Sequence, residues 1–267
     1  MRDPDWLRLF PDADFRWSMN LRSGDARDFF SGSREVESIL GQRRRLLAEA
    51  SGHYAALPVA AAALIDEAIE QFGIWRGRPF SDAFGAAVGL EPDWVLLRPN
   101  AEGSFLVEAG VVCFPSHWSL PDKVGMPLEA VHGPVPRLNE ALGRQVGTFL
   151  AKLVPGVAWE RENWGLSADA ELDHHPRHRR PRLIGQETPD QVWIRLERQL
   201  LVRLSGGGIL FGIHVSNHRL NEVAASGEGL SHRIARALRT MPEESACYKG
   251  INESRLLFAD RLLNGNP

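Results

Sequence analysis

Gln191-Val-Trp-Ile-Arg-Leu-Glu-Arg-Gln-Leu-Leu-Val-Arg-Leu-Ser-Gly-Gly-Gly-Ile-Leu-Phe-Gly-Ile-His-Val215 is the stretch on which the fold turns. Gln191 to Leu204 and Gly208 to Val215 are rich in apolar, β-branched and aromatic side chains, and Ser205-Gly-Gly-Gly208 between them allows a tight reversal. That pattern predicts an antiparallel hairpin. The glycines do not form a phosphate loop, because a strand pattern rather than a helix pattern follows them. Alternation sends Arg195, Glu197 and Gln199 to one face of the first strand and Leu196, Arg198 and Leu200 to the other.

Working outward, Trp94 to Arg98, Ser104 to Glu108 and Gly110 to Phe114 read as three further strands of an antiparallel meander. Leu138 to Val154 carries one apolar stripe and predicts a helix stopped by Pro155-Gly156, after which Val157 to Leu166 alternates like a strand. Asp173 to Pro189 is polar and proline-interrupted, and is expected to be an exposed loop. Upstream, Val36, Ile39, Leu40 and Leu47 lie at helical spacing with Arg43 to Arg45 on the expected solvated face, and Ala60 to Phe72 predicts a second helix. Residues 1–32 read as an aromatic-rich arm, and the tail from Arg219 as helices divided by Gly227, Pro242 and Gly250. Helices, strands, a crossover helix, strands and helices in that order predict an α+β fold with a mostly antiparallel sheet.

A chain of 267 residues with 43% hydrophobic and 24% charged content can bury a substantial core. The net charge of −3 gives no footprint for nucleic acid. Cys113 and Cys247 are too few for a metal–thiolate framework and are read as reduced thiols. Met1 to Trp6 lacks the basic-then-apolar pattern of a signal peptide, and no apolar run approaches the roughly 20 residues that cross a bilayer. The expected location is the cytoplasm, with no membrane partner.

Chemistry concentrates between Cys113 and Pro136, where four prolines (Pro115, Pro121, Pro127, Pro134) stiffen a connection carrying His117, Trp118, Lys123 and His132. His132, followed by glycine and an extended Pro134-Val-Pro136 segment, can serve as an iron or metal ligand, or be a buried histidine bonded to a carbonyl. His117 can bond an anionic ligand group or cap a turn. Lys123 can pair with an anion or be solvated. His174, His175 and His178 have zinc-like spacing, but lie among arginines and prolines without a completing ligand, and read as a solvated basic loop. Arg198, alone among leucines, needs a partner, which a cofactor propionate or an internal carboxylate can supply.

Phe114-Pro-Ser-His-Trp-Ser-Leu120, Asp122-Lys-Val-Gly125, Val131-His-Gly-Pro-Val-Pro136, Arg161-Glu-Asn-Trp164, Leu196-Glu-Arg-Gln-Leu200 and Tyr248-Lys-Gly250 occur in that order. Together they resemble the haem-dependent oxidative N-demethylase α-subunit family, also described as a dimethylamine monooxygenase subunit. The resemblance implies a PAS-like haem b core over residues 91–217, with an N-terminal arm and helices over 1–90 and C-terminal helices over 218–267, packed as one unit. It implies oxidative demethylation of a small secondary amine by O2 with release of formaldehyde. Electrons would come from NADPH through FMN and iron–sulfur partner subunits. His132 matches the family's Ile-His-x-Pro-Val-Pro histidine and inherits the axial-ligand role. His117, Trp118, Lys123 and Arg198 are the candidate cofactor-binding residues. Glu197 and Trp164 are the candidate catalytic pair, with Trp118, Trp164 or Trp193 as an aromatic wall for an ammonium.

The chain departs from the family's patterns at Gln199-Leu-Leu-Val-Arg-Leu-Ser205 and at Phe211-Gly-Ile-His214. A haem-binding sensor or carrier without turnover, and a scaffold that has lost haem, are the rival readings.

Overall fold

The computed structural model describes residues 3–33 and 35–264; Met1 and Arg2, which the reading of the chain's start includes, lie outside them. Seven strands form one sheet: β1 (Arg22–Ser23), β2 (Ala55–Ala56), β3 (Asp93–Pro99), β4 (Phe105–Val111), β5 (Ala158–Ser167), β6 (Trp193–Arg203) and β7 (Ile209–Arg219). Their order is β1-β5-β6-β7-β3-β4-β2, and every neighbouring pair is antiparallel. This is the α+β fold that the alternating patterns predict.

The β6–β7 hairpin is the sheet's spine, in register from Trp193↔Arg219 to Arg203↔Ile209. Its turn closes where Leu204 N–H donates to the Gly208 carbonyl at 2.8 Å, with Gly207 at φ +90°. The second strand runs four residues past the expected Val215, because His218 and Arg219 still pair with Ile194 and Trp193.

The expected three-strand meander is in fact two strands. β4 continues through Gly110, paired with Val95. A Cβ at Gly110 would lie 2.5 Å from the Trp94 carbonyl oxygen, so this glycine permits close backbone approach inside a strand and does not mark a turn.

Register divides the side chains between two faces. On one face Trp94, Leu96, Leu200 and Leu210 pack beneath helices Val36–Tyr54 and Ala62–Arg76, joined by Phe29, Phe30 and Phe72. Further along the same face Trp164, Ile194 and Leu196 meet the C-terminal helices through Leu220, Ile234, Leu238 and Phe258, and Phe10 of the arm. On the other face Val95, Leu97, Leu201 and Ile209 are covered by Leu120 of the proline-rich connection and Leu150 of helix Arg144–Lys152. A fully buried leucine-sized side chain is worth roughly 1.5–3 kcal/mol, so the proline-rich connection is bound to the sheet by hydrophobic burial as well as by hydrogen bonds.

Arg43 corrects the sequence reading of a solvated face. It is 0% exposed, forms an ion pair with Asp93, and donates Nε–H to the Ala87 carbonyl at 2.6 Å. Asp93 also accepts the N–H groups of Cys113 and Phe114 at 2.7 and 2.9 Å. One carboxylate therefore ties a helix, the start of β3 and the entry to the proline-rich connection. Arg44 and Arg45 are exposed as expected.

Candidate active site

The face that carries Arg195, Glu197 and Gln199 also carries Arg161 and Asn163, which oppose Gln199 and Glu197 across the β5–β6 ladder. Glu197 is half-buried and accepts from three donors: Ser116 Oγ at 2.6 Å, Gln199 Nε2 at 2.9 Å and Asn163 Nδ2 at 3.4 Å. Ser116 in turn accepts from Arg195 Nε at 2.9 Å. The Arg195 guanidinium also donates to the carbonyls of Phe114, Pro115, Glu171 and Leu172. Burial pushes Arg195 down to about 10, against the pull of Glu197. It is a structural clamp that holds the proline-rich connection over the sheet.

Two further cations approach Glu197. Arg161 is half-buried; its Nη2 reaches only the Ser18 carbonyl, at 3.4 Å, and its buried Nε has no partner. Lys249 Nζ donates to the Trp164 carbonyl at 2.6 Å and lies 5.4 and 5.5 Å from the ring centroids of Trp164 and Trp17. Burial, then the Arg161 charge, lowers the ammonium to about 8, opposed by Glu197. Among the described residues, no carboxylate lies within ion-pair distance of Arg161 or Lys249. Burial, then Glu197, raises the Tyr248 phenol above its ordinary value.

His132 ends the short helix Leu128–His132 and is half-buried. No hydrogen bond to its imidazole is found among the described residues. Burial first, and then Arg161, hold it below the ordinary histidine value, so it is neutral near pH 7 and available as a ligand. A π-helical turn, Asn139–Gly143, faces it across a cavity of about 10 Å³ lined by Phe105, Leu128, Val146 and Leu150. A larger cavity, about 240 Å³, opens between Phe15, Trp17, Arg137, Glu140 and Glu244.

A family model described as haem-dependent oxidative N-demethylase, alpha subunit-like, matches residues 86–257. The chain belongs to that family. The match covers β3 to β7 and most of the C-terminal helices. The family is haem-dependent and oxidative, and an alpha subunit implies a multi-subunit enzyme.

The donor set of this N-demethylase family member fits haem: a neutral, unbonded imidazole at His132, and Arg161 and Lys249, cations held by carbonyls and without an ion pair among the described residues. The two cavities are smaller than the roughly 300–1,000 Å³ of an enclosed ligand pocket. A macrocycle would therefore have to reach His132 from its solvent-open side.

Of the candidate catalytic pair, Glu197 lies on this face, whereas Trp164, opposite Leu196 in the ladder, projects from the other face and reaches the site only through its backbone carbonyl. Trp164 is buried in the C-terminal core, and its ring already carries Lys249; the Trp193 ring carries Arg219, at 4.5 Å. Trp118 is half-buried against two of the three cores. His117 is exposed at φ +64°, with Nε2 3.4 Å from Nδ1 of His174. Lys123 sits in a turn stapled to β4 by Gly125 N–H donating to the Val107 carbonyl, at the sheet edge opposite β5. Arg198 faces the other side of the sheet, where Glu160 at 3.1 Å and Asp28 at 3.8 Å meet its charge. The internal carboxylate is thus the partner that Arg198 requires.

The expected exposed loop begins buried. His174 is 2% exposed and lies 3.3 Å from Asp169; Asp173 accepts from Tyr54 Oη at 2.6 Å and from the His175 N–H at 2.9 Å. Burial, then Arg195 and His117, lower His174 to about 4. No cluster of three or more metal-ligating side chains occurs among the described residues. No helix among them is long and apolar enough to cross a membrane.

The sequence reading gave no role to Lys249, Arg161, Ser116 or Asn163. Lys249 and Arg161 lie inside quoted motifs, which was the available signal, but only the fold brings Lys249 to the Trp164 carbonyl on the strand that carries Arg161.

Proposed function

We propose that this chain is the haem b subunit of an oxidative N-demethylase acting on a small secondary amine of the dimethylamine kind. The observation that supports this reading is the half-buried, unbonded imidazole of His132, which feels the Arg161 charge, within the family match. His132 would hold the haem iron through its neutral imidazole, presented by a short helix between Pro127 and Gly133.

Haem bound there supplies activation of O2 and oxidation of the carbon next to nitrogen. The overall change consumes O2, an electron pair and two protons, and yields the demethylated amine, formaldehyde and water. Glu197 binds the substrate ammonium and can accept its proton, so that the free amine is presented for oxidation. Ser116, Gln199 and Asn163 fix the carboxylate's orientation. Trp118 is the remaining aromatic wall, since the rings of Trp164 and Trp193 already hold Lys249 and Arg219. Electrons come from NADPH through FMN and iron–sulfur partner subunits. Cys113 is buried, with its thiol pushed up to about 12 by desolvation, and cannot join Cys247 in a cluster.

Haem reconstitution followed by dimethylamine-dependent formaldehyde release with an electron donor tests the reading. One observation favours a haem-free scaffold: the enclosed space beside His132 is only about 10 Å³. A protein that stays colourless with haem in excess would decide for the scaffold.

A further inference from the structure

Arg161 and Lys249 are the unusual pair in this molecule. Arg43 has its charge met by Asp93, Arg198 by Glu160 and Asp28, and Arg195 is saturated by four carbonyls and Ser116. Arg161 and Lys249 are each satisfied by one backbone carbonyl, and Arg161 Nε is buried without any acceptor. Glu197, whose charge both feel without pairing with either, is already committed to Ser116, Gln199 and Asn163. Arg161 and Lys249 thus lie in a poorly solvated place without an ion-pair partner among the described residues, and an anionic group would relieve both. The site sits where β5 extends past the end of β1, so the Trp164 carbonyl that holds Lys249 lies on an unpaired strand edge. Trp17 and Trp164 hold the ammonium laterally, and among the described residues no carboxylate pairs with it.

We propose that Arg161 and Lys249 form a carboxylate-binding clamp beside Glu197. Two sources present that chemistry. One is a haem propionate. The other is the carboxylate of an N-methylated amino acid, whose ammonium would then fall to Glu197, so that the substrate would be a zwitterion and not a simple dialkylamine. Both deepen the proposed function, but the clamp itself can be tested without turnover.

Haem-free full-length protein is titrated calorimetrically with N-methylglycine and, separately, with dimethylamine. Wild-type protein is also titrated with haem and with its dimethyl ester, followed by absorption. Arg161→Gln, Lys249→Met and Lys249→Arg are compared in the same assays. Binding of N-methylglycine but not dimethylamine, weakened about tenfold or more in Arg161→Gln and Lys249→Met and retained in Lys249→Arg, supports a substrate carboxylate. Failure to bind N-methylglycine, with haem dimethyl ester bound at least about tenfold more weakly than haem by wild type, supports the propionate. No binding of N-methylglycine together with equal affinity for haem and its ester, or for neither, overturns the clamp. Undiminished binding in folded Arg161→Gln and Lys249→Met likewise overturns it, and the charge-retaining Lys249→Arg keeps the comparison open if Lys249→Met fails to fold. If wild type binds N-methylglycine but no haem, the oxidase reading fails while the clamp survives.

Discussion

Ser116 Oγ donates to Glu197 Oε1 at 2.6 Å while accepting from Arg195 Nε at 2.9 Å, so one hydroxyl links the proline-rich connection to both functional-face charges of β6. The connection is placed over the sheet by this hydroxyl and by the Arg195 clamp on four carbonyls. Ser116→Ala leaves Arg195 otherwise bonded but removes a donor from the carboxylate. We predict a rise in KM for the amine with little loss of stability. Glu197→Gln removes the charge and should lower kcat/KM by about tenfold or more. Steady-state kinetics on the two variants checks both.

Arg43 and Asp93 are buried together, and Asp93 also satisfies two backbone donors. Removing one partner leaves an uncompensated charge, at a cost of about 3–5 kcal/mol. Asp93→Ala and Arg43→Met should each unfold at markedly lower denaturant concentration than wild type, whereas Arg44→Met, exposed one residue away, should leave the midpoint unchanged.

His214, one of the departures from the family pattern, lies 2.8 Å from Glu91 on the sheet face opposite the crevice. Burial alone would raise Glu91, but bonds from His214 and Ser33 outweigh it and hold the carboxyl below its ordinary 4.5. A depressed carboxylate contributes stability that is present above its unfolded value and is lost as pH falls through the folded value. His214→Leu should therefore move the acid-unfolding midpoint upward. His214→Arg, which keeps a cation opposite Glu91, should move it back. Circular dichroism across a pH series reads the shift.

Lys249 gives the opposite sign. Its folded value, about 8, lies below the ordinary 10.5, so between these the unfolded chain holds the extra proton. Stability due to this group then rises with pH across that window. The wild-type advantage over Lys249→Met should grow from pH 8 to pH 10, measured by chemical denaturation, and should not grow between pH 5 and pH 7.

The antiparallel sheet was legible because period-two alternation and the Ser205-Gly-Gly-Gly208 reversal are local. Alternation also placed Glu197 and Arg198 on opposite faces, as the ladder shows. What escaped were long-range pairings. Arg43 looked solvated because its partner, Asp93, is fifty residues away. His174 looked solvated because arginines surround it in sequence, whereas in space Asp169 meets its ring. Gly110 looked like a turn because the close approach of the Trp94 carbonyl belongs to another strand. In the proposed site, His132 and Glu197 were nameable from the chain as candidates, but Lys249 reaches Trp164 only through the packing of the C-terminal helices.

Haem titration of wild type and His132→Ala, read by absorption, tests the central claim most directly. We predict a Soret band in wild type that is lost or shifted in the variant, whose fold by circular dichroism is unchanged. An identical spectrum in both proteins, or no haem bound by wild type, would contradict it.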